Sequence, residues 1–155
     1  MRIGQGFDVH KIKPGKGLVL GGIYIDCDYS IEAHSDGDII IHALIDSLLG
    51  AAAYGDLGTY FPSEDNSFKD VSSASMLLIV LEKLRKDNFS ILNIDITYVG
   101  EVPKIISYRE KIIKNLSIIL GLDSNKISCK ATTTDGLGYE GSREGISCHC
   151  ISLIE

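Results

Sequence analysis

The chain has no run of eighteen apolar residues, no Cys-x-x-Cys pair, no internal repeat and no linker. The first absence leaves no expected transmembrane helix and no membrane partner. The second, with no secretory features, points to reduced thiols in a cytoplasmic compartment. The last two leave a single domain over residues 1–155. A strand-like segment begins within a few residues of Met1, so no signal peptide or basic transit segment is expected. A mature protein of the plastid stroma would read the same way. A formal charge of −6, with scattered Lys and Arg, argues against a nucleic-acid partner. An anionic substrate must then be held by a local site. What the chain does have is 45% hydrophobic residues, enough for a core without staples.

Those residues fall into periodic segments. Residues 3–9 and 18–25 read as strands, the second broken by Gly21-Gly22 as a turn or bulge. Residues 36–54 read as a helix with Ile41, Leu44, Ile45 and Leu48 as its apolar stripe. Ser35 stands as its N-cap, Asp38 as the capping-box acid and Gly55 as its stop. A second helix over 73–88 carries Leu77, Leu78, Leu81 and Leu84, and a third over 107–120 ends at Gly121. Residues 92–99, with Ile94, Ile96 and Tyr98 on one face, read as a strand, as do 127–132 and 145–153. The order predicts an α+β layer fold: a mixed sheet with helices on one face. The other face needs a partner, which hints at an oligomer.

Two apart on a strand, Asp8 and His10 share a face, and His42 lies in the first helix. Together they suit a three-ligand site with an open fourth position, the arrangement of catalytic zinc. The same spacing also suits a strand-end pair and an ordinary helix histidine. Asp38, His42 and Asp46 follow at i, i+4 spacing, so Asp38 or Asp46 is placed to orient a metal-bound His42, or to be part of a solvated acidic edge. Thr132-Thr133-Thr134-Asp135-Gly136 leaves a strand into a turn able to grip a phosphate and its Mg²⁺, though Thr runs are ordinary in strands. Asp56, Glu64 and Asp65 mark a loop suited to a substrate-facing flap or to plain surface. Cys148-His149-Cys150 reads as a half-buried strand, with His149 facing away from the two cysteines.

Taken in order, these segments resemble a known family. The carrying residues are Arg2-Ile-Gly-x-Gly-Phe-Asp8-Val-His10, Gly21-Gly22, Ala33-His34-Ser35-Asp36-Gly37-Asp38, His42-Ala-Leu and Leu49-Gly-Ala-Ala-Ala-x-Gly-Asp56. Phe61-Pro62, Pro103-Lys104, Lys130-Ala-Thr-Thr-Thr134 and Glu144-Gly145-Ile146 continue the match. Over essentially its whole length the chain resembles the 2-C-methyl-D-erythritol 2,4-cyclodiphosphate synthases of the non-mevalonate isoprenoid pathway.

The resemblance implies a homotrimer, sheets facing inward and active sites between subunits, with one Zn²⁺ and a second cation, Mg²⁺ or Mn²⁺. It implies that the 2-phosphate of 4-diphosphocytidyl-2-C-methyl-D-erythritol 2-phosphate attacks the β-phosphorus, closing a cyclic diphosphate and expelling CMP. Position by position, Asp8, His10 and His42 would hold zinc, with Val9 beside them at the substrate. His34 and Thr133 would stabilise the transition state, and Ser35 would sit at a helix N-terminus. Asp56, Leu57 and Gly58, with Phe61, Pro62, Ser63, Glu64 and Asp65, would meet the methylerythritol phosphate. Gly100, Glu101, Val102, Pro103, Lys104, Ile105 and Ile106 would accept cytidine, largely through backbone groups. Thr132, Thr133, Thr134 and Asp135 would bind the diphosphate, Asp135 also the second cation, with Tyr139 nearby.

The chain departs from the family pattern at four places. Asp135 stands for the usual Glu, keeping the charge on a shorter arm. Tyr139 replaces Phe. Ser142 stands where Arg is usual, with Arg143 following; on a strand that shift would turn the arginine to the opposite face. His149 has no assigned role. Two other readings are a metal-dependent phosphohydrolase, which would release linear products, and a non-catalytic trimer binding cytidine nucleotides or isoprenoid diphosphates.

Overall fold

A computed structural model describes residues 1–33, 35–62 and 71–155. His34, Ser63, Glu64 and Asp65 therefore lie outside the described residues. Seven strands and five helices follow the order β1 (Arg2–Pro14), β2 (Leu18–Leu20), β3 (Ile23–Ile25), β4 (Tyr29–Ile31), α1 (Ile39–Ala52), α2 (Leu57–Tyr60), α3 (Ser73–Lys86), β5 (Ile91–Val99), α4 (Arg109–Leu120), β6 (Ile127–Thr132), α5 (Gly138–Gly141) and β7 (Gly145–Ile154) among those residues. Five strands form a mixed sheet in the order β4-β1-β7-β5-β6, and β2 and β3 form a separate hairpin. Only β5 and β6 run parallel; the other ladders are antiparallel.

Alternation decides which face is buried. Ile94, Ile96 and Tyr98 on β5, and Ile146, Cys148 and Cys150 on β7, point into the core, while His149 points out. All four cysteines are free thiols, and burial raises Cys129 to about 11 and Cys150 to about 12. On β1 the inward positions are Gly4, Gly6, Asp8, His10 and Ile12. A Cβ on Gly4 would fall 1.8 Å from the Ser47 carbonyl oxygen, and one on Gly6 would fall 2.0 Å from that of Ala43. The two glycines thus let the backbone of α1 rest directly on the strand. That close approach carries His42 down to the level of Asp8.

Helix α1 starts later than its pattern predicts. Ser35 is not the cap: its Oγ accepts the N–H of Gly37, Asp36 Oδ1 accepts that of Asp38, and Gly37 is left-handed at φ +67°. These turns keep the chain out of helix until Asp38, whose carboxylate accepts the N–H groups of Ile40 and Ile41. The same carboxylate accepts Gly21 N–H at 2.8 Å and Gly22 N–H at 2.6 Å, pinning the β2–β3 turn to the helix start. Burial pushes Asp38 up to about 6, against the downward pull of those donors. At the other end, Ala53 rather than Gly55 takes the left-handed cap at φ 60°.

Helix α3 buries Leu77, Val80, Leu81 and Leu84, an i, i+3, i+4, i+7 stripe, and leaves Leu78 51% exposed, outside the core. The sheet face away from α1 carries exposed Ile3, Phe7, Val9 and Ile151. Phe7 packs against His149 there, ring centres 4.8 Å apart, which gives His149 a contact although no chemistry.

Candidate metal centre and active site

Asp8 and His10 come from β1 and His42 from the first turn of α1. Asp8 Oδ2 lies 3.1 Å from His10 Nδ1 and 3.0 Å from His42 Nδ1. One ligand atom from each residue lies within 4.8 Å of the other two. Around a tetrahedral Zn²⁺, neighbouring ligand atoms sit about 3.4 Å apart, so the cluster has the right scale. The Asp8 carboxyl is pushed up by burial, yet the two histidines beside it bring it down to about 2. It therefore stays ionised at any physiological pH. His10 Nδ1 is buried and has no hydrogen-bond partner, although Asp8 is close. A buried imidazole nitrogen without a protein partner, beside a carboxylate, fits a cation and disfavours a plain strand-end pair.

The residues around this cluster differ from those the spacing suggested. Neither Asp38 nor Asp46 holds the second nitrogen of His42. Asp38 is used up by four backbone N–H groups, and Asp46 Oδ1 accepts the N–H of Leu57 at 2.7 Å. The partner of His42 Nε2 is Ser73 Oγ, 2.8 Å away at the start of α3. Ser73 in turn meets Asp36. Thirty-one residues separate Ser73 from His42, so helix periodicity gave no signal for it.

Asp46 links the centre to the next predicted segment. By holding Leu57 it places Asp56, Leu57 and Gly58 beyond the end of α1, and Asp56 caps α2 through Thr59. Phe61 is buried in the core, with its N–H donating to Leu57 O at 2.8 Å, and Pro62 after it is half-buried. Val9 lies next to Asp8 but points to the opposite sheet face, its N–H donating to Asp8 Oδ1 at 2.8 Å.

A second group gathers at the ends of β5 and β6. The N–H of Gly100 donates to Thr132 O at 3.1 Å, and that of Gly136 to Glu101 Oε1 at 3.3 Å. Segment 100–106 and the turn 132–136 are thereby fastened together. The fully buried Tyr98 donates its hydroxyl to Val102 O at 3.0 Å, and burial pushes that phenol far up. Pro103 and Ile105 are buried; Lys104 and Ile106 are exposed. Thr132, Thr133 and Asp135 are exposed, with Asp135 left-handed at φ 53° and its carboxylate 3.3 Å from Thr133 Oγ1. Ser142 and Arg143 lie in the turn between α5 and β7, with Arg143 left-handed at φ 62°. The strand-parity argument for the arginine therefore does not apply. Tyr139, on α5, is partly exposed beside Gly145.

In register, Asp8 pairs with Cys148, Cys148 with Tyr98, and Tyr98 with Ala131. The metal cluster and the Thr132 turn thus share one end of the sheet, three strand spacings or about 14 Å apart.

Fold and site together define a mixed α+β domain with a carboxylate–imidazole group suited to a divalent metal. The chain belongs to the YgbB family, whose model matches residues 1–155. It is 43% identical over 155 residues, all of both chains, to a protein of Clostridium botulinum named 2-C-methyl-D-erythritol 2,4-cyclodiphosphate synthase. Among solved structures it is similar to IspF of Plasmodium falciparum in complex with CDP, at TM-score 0.87 and 42% identity, covering 99% of this chain and 94% of that one. It also matches the bifunctional IspDF of Campylobacter jejuni at TM-score 0.94 and 37% identity, covering 99% of this chain and 42% of that one.

Proposed function

We propose that this protein, acting as one domain, converts 4-diphosphocytidyl-2-C-methyl-D-erythritol 2-phosphate into 2-C-methyl-D-erythritol 2,4-cyclodiphosphate and CMP, a step in making isoprenoid precursors. The observation that carries this is the partly buried Asp8–His10–His42 group, in a chain that matches the named synthases end to end. Nucleophile and electrophile sit in one substrate, so the protein must supply proximity and charge neutralisation, with no activated water.

Zn²⁺ held by Asp8, His10 and His42 would polarise the β-phosphate. The other work falls to side chains and peptide groups. The Thr133 hydroxyl sits on an exposed turn beside Asp135, where it can donate to a phosphate oxygen. Asp135 would hold the second divalent cation, Mg²⁺ or Mn²⁺, on the diphosphate. Segment 100–106 offers peptide groups to cytidine on a loop anchored by Tyr98, and Asp56, Leu57 and Gly58 would meet the methylerythritol phosphate. His34, Ser35 and residues 61–65 complete the assignment as the family resemblance has it.

The protein would act as a homotrimer with shared sites. Two facts support this: the apolar sheet face left open in one chain, and the separation of the metal cluster from the Thr132 turn. Free buried thiols suit a reducing compartment such as the cytoplasm or plastid stroma. No helix among the described residues is long and apolar enough to cross a membrane.

Phosphorus NMR of protein, substrate and Mg²⁺ tests the activity. Two coupled diphosphate resonances appearing together with CMP are expected. Linear phosphates would mean hydrolysis, and unchanged substrate would mean a binding protein.

A further inference from the structure

The hydrogen bonds behind His42 have a direction. Ser73 is fully buried at the first position of α3, and both its backbone N–H and its hydroxyl meet Asp36. A carboxylate offers only acceptors, so the hydroxyl proton of Ser73 goes to Asp36 Oδ1. Ser73 Oγ is then left to accept, and the group 2.8 Å from it is His42 Nε2. That nitrogen must carry the proton. With a single proton on the ring, His42 Nδ1 presents a lone pair toward Asp8 Oδ2, 3.0 Å away. Two acceptors at that distance repel unless a cation lies between them.

We propose that Ser73, oriented by Asp36, is a positioning residue that locks His42 in its Nε2–H tautomer and reserves Nδ1 for the metal. This rests on the metal reading of the cluster given above. Ser73 touches neither substrate nor metal; it acts through His42. Such outer partners of a metal-binding histidine fix both ring orientation and tautomer. Asp36 also receives the Ser73 backbone N–H at 3.0 Å, so the start of α3 and the metal ligand are set by one carboxylate.

The test uses metal-stripped full-length protein, with zinc affinity measured by competition against a chromogenic chelator. Long-range proton–nitrogen spectra of the imidazole rings report tautomers without any metal. Wild type is expected to show His42 carrying a proton on Nε2, and on Nε2 alone once zinc is added. Ser73→Ala should give mixed tautomers and weaken zinc by about 10–100-fold. Ser73→Thr, which keeps the hydroxyl, should stay within about threefold of wild type. Asp36→Asn is the sharper variant: its amide can donate to Ser73 Oγ, which turns the serine proton toward His42 and shifts the imidazole to Nδ1–H. The double variant should lose no more affinity than the worse single one. Circular dichroism identifies variants that fold; should Ser73→Ala not fold, Asp36→Asn and the Ser73→Thr spectrum decide. Folded variants that keep the Nε2–H signal and the wild-type zinc affinity would overturn the proposal. Wild type that binds no zinc would sink the metal reading instead, and the tautomer spectra would still judge Ser73.

Discussion

The two halves of the candidate site are built in opposite ways. Around Asp8, His10 and His42 the helix that carries His42 is locked from behind. Glycines bring α1 onto β1, Asp38 fixes the start of the helix, and Ser73 holds the ring of His42. Around Thr132–Gly136 and Gly100–Ile106 the hydroxyls and peptide groups lie open, fastened mainly through backbone N–H bonds. A metal demands ligands fixed to a fraction of an ångström, so its half must be pre-arranged. A nucleotide can be gripped by exposed donors and peptide groups, which need no such fixed framework.

The comparison breaks most severely at the metal. His42→Ala should lower kcat/KM by about 10³-fold, the several kcal/mol that metal polarisation supplies, with far-UV circular dichroism unchanged. A variant cycling at the wild-type rate would remove zinc from the reaction. Next comes the packing that aims His42. Gly6→Ala places a methyl group 2.0 Å from a backbone oxygen, so α1 must lift. A loss of about 3 kcal/mol in urea unfolding is expected, with zinc affinity falling too.

Asp38 offers a pH test of comparable size. Its folded value of about 6 lies above the ordinary carboxyl value of 3.8, so the folded state holds the proton more tightly than the unfolded chain does. Its contribution is full below the unfolded value and is lost as pH rises through about 6. Relative to Asp38→Asn, wild type should therefore lose about 3 kcal/mol between pH 4 and 6.5. A flat difference would show that the four N–H donors outweigh burial.

In the open half, Thr133→Ala should cost about 10²-fold in kcat while stability stays within about 0.5 kcal/mol of wild type. Co-assembled with His42→Ala, it sharpens the contrast. In mixed trimers with shared sites, about a quarter of sites would regain both intact halves, and activity should return. Sites contained within one chain would give none. The smallest effect belongs to Asp135→Glu, which restores the usual family residue and should change kcat by about threefold or less.

Much of the molecule was legible in the residues. The alternation at Ile94, Ile96 and Tyr98, the Gly21-Gly22 break and the Gly121 stop each follow from local chemistry, and the structure has them where the pattern put them. The clustering of Asp8, His10 and His42 was legible because two of the three share a strand face. The start of α1 was not, because Ser35 fits the cap position and Asp38 then reads as the capping-box acid. What favours Asp38 is a second set of donors at Gly21 and Gly22, seventeen and sixteen residues away. Leu78 fits an apolar stripe in the sequence, but α3 turns it outward.

By itself, then, the sequence determined the elements, the core faces and the chemical types of the site residues, since these depend on periodicities of two and 3.6 and on side-chain identity. Only the tertiary structure decided that Ser73 and Asp36 stand behind His42, and that Asp46 serves Leu57 rather than His42. It alone set the metal cluster and the Thr132 turn three strands apart. Those facts depend on contacts between residues far apart in the chain, for which local pattern carries no signal.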